Sequence, residues 1–156
     1  MANKDSAFGL RPIGKVGQNR DNQGLSEYDI AASASAIFQN DPVEMAADGT
    51  ITVAAATDLL LGSLTGVFFT DASTSKPTFA NHLKASNTAT DIKGFVYDDP
   101  YQRFEIQSNN TAASALTDIN NAADIEYAAG AAPNFISKSE LNDSTLAAGA
   151  ATLKIH

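Results

Sequence analysis

Short runs of alternating apolar and polar residues follow one another along the chain from Tyr28 onwards. The first run places Tyr28 and Ile30 on the same face, as in a half-buried strand. Residues 42–54, "PVEMAADGTITVA", alternate on both sides of Asp48-Gly49, a dipeptide that tolerates positive φ angles. The pattern therefore predicts a strand at Tyr28 and a hairpin across residues 42–54.

Further strands are predicted in the middle of the chain. Residues 59–70, "LLLGSLTGVFFT", are too apolar for an open sheet face, and their glycines disfavour a helix, so they indicate a buried strand bent near Gly62 and Gly66. Two more strands, "IKGFVYDD" and "RFEIQSN", flank Asp99-Pro100 and turn Phe104 and Ile106 inward. The C-terminal strand-like pieces are "FIS" and "TLKIH".

The other segments predict less regular structure. Residues 71–91 are interpreted as a polar loop, and the apolar spacing in residues 113–125 permits a short helix. We predict a mainly β protein, a compact β-barrel or β-sandwich with at most one or two short helices. It would comprise an extended N-terminal arm, residues 1–26, and a single β domain, residues 27–156.

Composition limits the classes of function. Much of the 44% hydrophobic content is alanine, which predicts a thin core and stability drawn partly from neighbouring subunits or partners. The net charge of -8 would repel a nucleic-acid backbone, so no direct nucleic-acid partner is expected. There is no cysteine, no apolar run long enough to span a bilayer and no apolar stretch typical of a signal peptide, so we expect a cytoplasmic, membrane-free chain.

The residues that usually carry catalysis form no recognisable constellation. Adjacent strand residues face opposite ways, so Asp98 and Asp99 are better interpreted as the polar end of a strand than as a catalytic pair. His82 lies in the polar loop and His156 is the last residue, with no second histidine at metal-ligand spacing. We therefore expect no enzyme activity, no metal and no cofactor.

The N-terminal arm holds the candidate binding residues. Its polar, glycine-rich sequence cannot repay its ordering entropy alone, but it would lie extended on another surface and dock a few side chains there. A frayed terminus is the alternative. The candidate anchors are Phe8, Leu10, Arg11, Pro12 and Ile13.

Five segments in order carry a family resemblance: "MANKDSAFGLRPIGK", "YDIAASASAIFQNDPVEMAADG", "LLLGSLTGVFF", "YDDPYQRFEIQ" and "SKSELNDSTLAAGAATLKI". Together they resemble small virion proteins of tailed phages, especially marine ones. The resemblance covers nearly the whole chain, and "DDPxxxFEIQ" and "SxxxLxxST" are its most specific parts.

This resemblance implies a capsid decoration, or cement, protein that is made in the host cytoplasm and stabilises contacts between capsomers on the outer capsid surface. The implied partners are the major capsid protein and further copies of the chain, most simply as a trimer. Arg11 would pair with an acidic surface of the capsid protein, and a solvated arginine is the alternative. One alternative is a virion component of lower copy number, such as a head fibre base, connector or tail protein. Another is a ligand-binding β-barrel lined by Phe68, Phe69, Phe95 and Phe104.

Overall fold

The computed structural model describes residues 5–17, 24–110, 114–149 and 151–156. The chain is mainly β and sandwich-like, as predicted; its three described sheets stay open, so the barrel alternative is wrong. The strands are β1 (Arg11–Lys15), β2 (Ser26–Asp29), β3 (Pro42–Met45), β4 (Ile51–Val53), β5 (Gly62–Thr70), β6 (Pro77–Ala80), β7 (Lys93–Tyr97), β8 (Gln102–Glu105), β9 (Ala122–Glu126), β10 (Glu140–Ala147) and β11 (Leu153–Lys154).

The largest sheet is antiparallel and has β5 at its centre. One edge of β5 pairs with β7, which pairs in turn with β2, while the other edge pairs with β3 and β6. The predicted hairpin is confirmed: β3 and β4 place Val43 opposite Val53, and Gly49 takes a positive φ of 83°. Local alternation and turn chemistry were sufficient to locate this element.

The glycines of β5 explain its predicted bend. The pairing register with β7 shifts between Leu64 and Gly66, which marks a bulge. A Cβ atom added at Gly62 would lie 2.0 Å from the Tyr97 carbonyl oxygen, so the two backbones approach too closely for any side chain there. Contrary to the prediction of a buried run, Leu59 lies before the strand and is exposed.

The core lies on one face of this sheet. Val96 on β7, Leu64 and Val67 on β5, and Ile51 on β4 are all buried. Leu64 and Val67 are an odd number of residues apart, and the bulge between Leu64 and Gly66 is what turns both to the core side. The full set of buried members is Ile30, Ile37, Val43, Ile51, Leu64, Val67, Leu83, Ala89, Ile92 and Val96.

Two smaller sheets complete the structure. Strand β1 pairs with β8 as a two-stranded ribbon, and β9 lies between β10 and β11. The prediction of a short helix in residues 113–125 is wrong. The described part of this range holds only a 3-10 turn, Leu116–Asp118, and then enters β9. Leu116 and Ile119 are exposed, so a helix here would have no buried face to stabilise it.

The segment interpreted as a polar loop, residues 71–91, contains strand β6. Its residues Phe79 and Thr78 lie opposite Phe68 and Phe69 of β5. Leu83 follows, fully buried, and bridges to Ile37. Residues 71–76 form the turn between β5 and β6, so only part of the segment is loop.

Candidate functional site

Residues 5–17, the first described part of the predicted arm, are called here the N-terminal segment. This segment is anchored at Leu10, which is 0% exposed. The Ser63 hydroxyl donates a hydrogen bond to the Leu10 carbonyl oxygen at 2.7 Å. At Gly9, with φ +70°, an added Cβ would lie 2.3 Å from the Asn40 carbonyl oxygen. Leu10 is thus an anchor within its own chain, which leaves Phe8, Arg11, Pro12 and Ile13 to carry the predicted docking role.

Arg11 and Phe8 form a small exposed unit on the ribbon. The Arg11 guanidinium pairs with the Glu105 carboxylate directly across from it and lies 4.6 Å from the centre of the Phe8 ring. Exposed ion pairs and cation–π contacts of this kind each add only about 1 kcal/mol or less to the free energy of unfolding. Arg11 therefore already has a partner, and an acidic patch on another protein would have to compete with Glu105.

Ile13 is the anchor that the ribbon leaves most available, since 57% of it is exposed. The pairing of β1 with β8 is irregular between Pro12 and Gly14, so Ile13 lies outside the regular register. A shallow depression of about 120 Å³ is lined by Pro12, Ile13, Gly14, Tyr97 and Gln102. That volume is small beside ordinary ligand pockets of about 300–1,000 Å³, so the depression suits one side chain better than a metabolite.

Asp98 and Asp99 have different partners. The Tyr28 hydroxyl donates to Asp98 at 2.7 Å, which raises the pKa of Tyr28. Lys15 Nζ lies 2.7 Å from Asp99, and this amine, followed by the Tyr101 N–H, lowers the pKa of Asp99. One carboxylate ties β2 to β7 and the other ties β1 to the turn before β8, so both hold chain segments together.

His82 belongs to an aromatic stack. Its ring lies 3.9 Å from that of Phe135, nearly parallel, and its pKa is lowered by burial and then by Lys84. His156 is exposed at the end of the chain. Over the described ranges, no three histidine or acidic side chains cluster in a way that would hold a metal ion, and no helix has the length and apolar character to cross a bilayer.

The phenylalanines of the barrel alternative do not line a common cavity. Phe68, Phe69 and Phe95 belong to the large sheet, whereas Phe104 lies on β8 of the ribbon. Phe69 packs against the core, and Phe68 points to the outer face. Because no described sheet closes, the barrel that this alternative requires is not formed.

Sequence reasoning missed a buried polar junction formed by residues 38–41, called here the 38–41 junction. Its backbone, together with the Asn40 side chain, is hydrogen-bonded to three separate parts of the chain: the N-terminal segment, β5 and residues 135–137. The bonds are Leu10 N to Asn40 O, Asn40 Nδ2 to Phe8 O, Asn40 N to Leu64 O, Leu64 N to Asp41 O, Gln39 N to Phe135 O and Ser137 N to Gln39 O. The Asp41-Pro42 dipeptide by itself indicates only a turn, as Asp99-Pro100 does.

Within the junction, the Asp41 carboxyl is completely buried. Burial raises the pKa of Asp41 to about 6, a shift opposed by the nearby Ser137 hydroxyl and the Phe38 N–H. Burial and then the Asp41 charge raise the pKa of Tyr127 to about 12.

Comparison of the chain with protein-family profiles, with curated proteins and with solved structures found no match.

Proposed function

We propose that this protein is a structural component of a phage virion, a decoration protein that binds the outer capsid lattice. The observation that carries the proposal is the order of the five resembling segments along nearly the whole chain. Short motifs arise by chance, but five of them in the same order along one chain are much harder to obtain by chance.

The fold supports a structural role through the location of these segments. They contain β1, the second half of β2, β3, the 38–41 junction, most of β5, β8 with the turn before it, β10 and β11. The resembling residues therefore lie in strands of all three sheets, and five of them line the shallow depression beside Ile13. A framework of this kind suits a protein whose task is to present a fixed surface.

The ribbon of β1 and β8 offers the surface for the capsid protein. Among the described residues each of its strands pairs only with the other, so each has an open edge that would accept a strand from a partner. Ile13, Val16 and Tyr101 add exposed apolar side chains in or beside it. The capsid protein would thus gain backbone hydrogen bonds from the edge and specificity from Ile13.

The copy number of the chain in purified virions tests this proposal. Quantitative mass spectrometry should give close to one copy per major capsid subunit, because a cement protein covers the whole lattice. A dozen copies or fewer would favour the alternative of a fibre base, connector or tail protein. Absence from the particle would overturn the structural proposal.

A matched pair of variants tests the ribbon as the docking surface. Ile13→Asp should reduce co-sedimentation with capsids at least tenfold, because it places a charge where an apolar contact is expected. Leu116→Asp changes an apolar residue that is even more exposed, at 88%, in the 3-10 turn before β9, and this variant should bind normally. Deleting residues 2–16 is a poorer test, because it removes buried Leu10 together with β1. Equal binding by both variants would place the capsid contact elsewhere.

A further inference from the structure

The Asp41 carboxyl has an unusual environment for an acid. Its Oδ2 accepts a hydrogen bond from the Phe38 N–H at 2.8 Å, whereas its Oδ1 makes no hydrogen bond of ordinary geometry with any described residue. None of the ion pairs among the described residues includes Asp41. A buried carboxylate without a cation is costly, so this site favours the neutral acid.

The surrounding segments offer hydroxyl and backbone groups in place of a positive charge. Ser137 and Ser139 are fully buried beside the junction and hydrogen-bond each other at 3.0 Å. The N-terminal segment brings Gly9 and Leu10, which do not titrate. The titratable groups nearby are Tyr127, which is neutral over the working range, and His82, which lies across the Phe38 ring at a centroid distance of 6.3 Å.

We propose that Asp41 is a proton-operated switch of the 38–41 junction. With a neutral carboxyl, the junction holds the N-terminal segment, β5 and residues 135–137 together. Loss of the proton to solvent leaves a buried, unpaired negative charge, and the junction relieves it by loosening. The N-terminal segment is released first, because its hold on the junction passes mainly through Asn40, next to Asp41.

The direction of the effect follows from the folded and unfolded pKa values. The pKa of Asp41 is about 6 in the folded chain and close to 4 for an unfolded aspartate. The contribution of Asp41 to the free energy of unfolding is therefore fully present below about pH 4 and is lost as the pH rises through about 6. Across that window this residue alone would lower the folding equilibrium constant by on the order of a hundredfold.

Urea unfolding between pH 4 and pH 8 tests the switch. Wild type should lose stability as the pH rises from 5 to 7, and Asp41→Asn should lose most of that dependence, since the amide cannot ionise. His82→Phe is the matched control for the other nearby titrating group and should keep the wild-type dependence. The proposal is overturned if Asp41→Asn follows the wild-type curve, or if His82→Phe abolishes the dependence.

Two measurements on the wild-type chain remain decisive even if Asp41→Asn does not fold. The carboxyl carbon of Asp41, followed by NMR, should titrate near pH 6, and a midpoint near 4 contradicts the switch. The Leu10 amide donates to Asn40 O at 2.9 Å. Its exchange protection, corrected for intrinsic rates, should fall at least tenfold from pH 5 to pH 7, and constant protection would show that the N-terminal segment is not released.

Discussion

Leu10 joins the N-terminal segment to the rest of the molecule through its side chain. It is fully buried, whereas Ile13, three residues further on, is largely exposed. Truncating a buried leucine removes transfer free energy and leaves a cavity, and together these cost about 2–5 kcal/mol. Truncating an exposed side chain removes little buried area and leaves no cavity, so neither cost arises.

We expect Leu10→Ala to lower the free energy of unfolding by about 2–5 kcal/mol and Ile13→Ala to change it by less than about 0.5 kcal/mol. Urea denaturation of both variants at a fixed pH measures the difference. Equal losses would show that residues 5–17 do not pack as the structure places them. The Ile13 variant also indicates whether the docking experiment is free of folding effects.

The two Asp-Pro dipeptides show what the sequence can decide at the scale of one residue. Asp99-Pro100 begins an exposed turn in which the Tyr101 N–H donates to Asp99 at 2.8 Å, as its local sequence predicted. Asp41-Pro42 has the same local pattern, yet Asp41 is buried. Gly9 and Ser137, both distant in sequence, pack against the 38–41 junction, so local reasoning could not identify it.

At the scale of whole elements, strands with clear alternation of apolar and polar residues were predicted, and strands without it were missed. The β3–β4 hairpin was predicted because its strands and turn are contiguous. The eight-residue strand β10, "ELNDSTLA", was missed because it is polar and its pairing with β9 is irregular. Strand β6 was missed because it begins at Pro77 and lies on the edge of the sheet, where apolar alternation is not required.

The turn between β5 and β6 depends on one aspartate. Asp71 Oδ1 accepts hydrogen bonds from the backbone N–H and hydroxyl of both Ser73 and Thr74, at 2.6–3.1 Å. These donors, led by the Ser73 hydroxyl, lower the pKa of Asp71 to about 2. The ionised carboxylate therefore stabilises the turn, and its contribution is lost as the pH falls from about 4 through 2.

Asp71→Ala should accordingly lower the melting temperature at pH 7, and this deficit relative to wild type should shrink steadily below about pH 4. Thermal unfolding monitored by circular dichroism gives the deficit at each pH. NMR titration of the Asp71 carboxyl provides an independent check that does not need the variant. A midpoint near 4 would mean that the four hydrogen bonds are not kept in solution.

At the scale of the whole molecule, an alanine-rich chain exposes several large apolar side chains. Phe79 packs on Phe95 with ring centroids 5.6 Å apart, yet 68% of it remains exposed on the outer face of the large sheet. Leu59 is 90% exposed. Burial of such residues between copies would supply stability that the thin core lacks, in keeping with the proposed trimer.

Charge should control that association. Each copy carries a net charge of -8, so copies repel one another at low ionic strength, and added salt screens the repulsion. We expect sedimentation equilibrium at about 0.15 M salt, where the Debye length is about 8 Å, to give three times the 16.3 kDa mass of one chain. The mass should fall as salt is removed.

Phe79→Ser and Leu59→Ser locate the surface responsible. If the outer face of the large sheet is the contact between copies, Phe79→Ser should shift the mass towards one chain, while its unfolding midpoint shows that the fold persists. Leu59→Ser tests the surface near Met45, at the end of β3, in the same way. A single-chain mass for wild type at every salt and protein concentration would contradict the trimer.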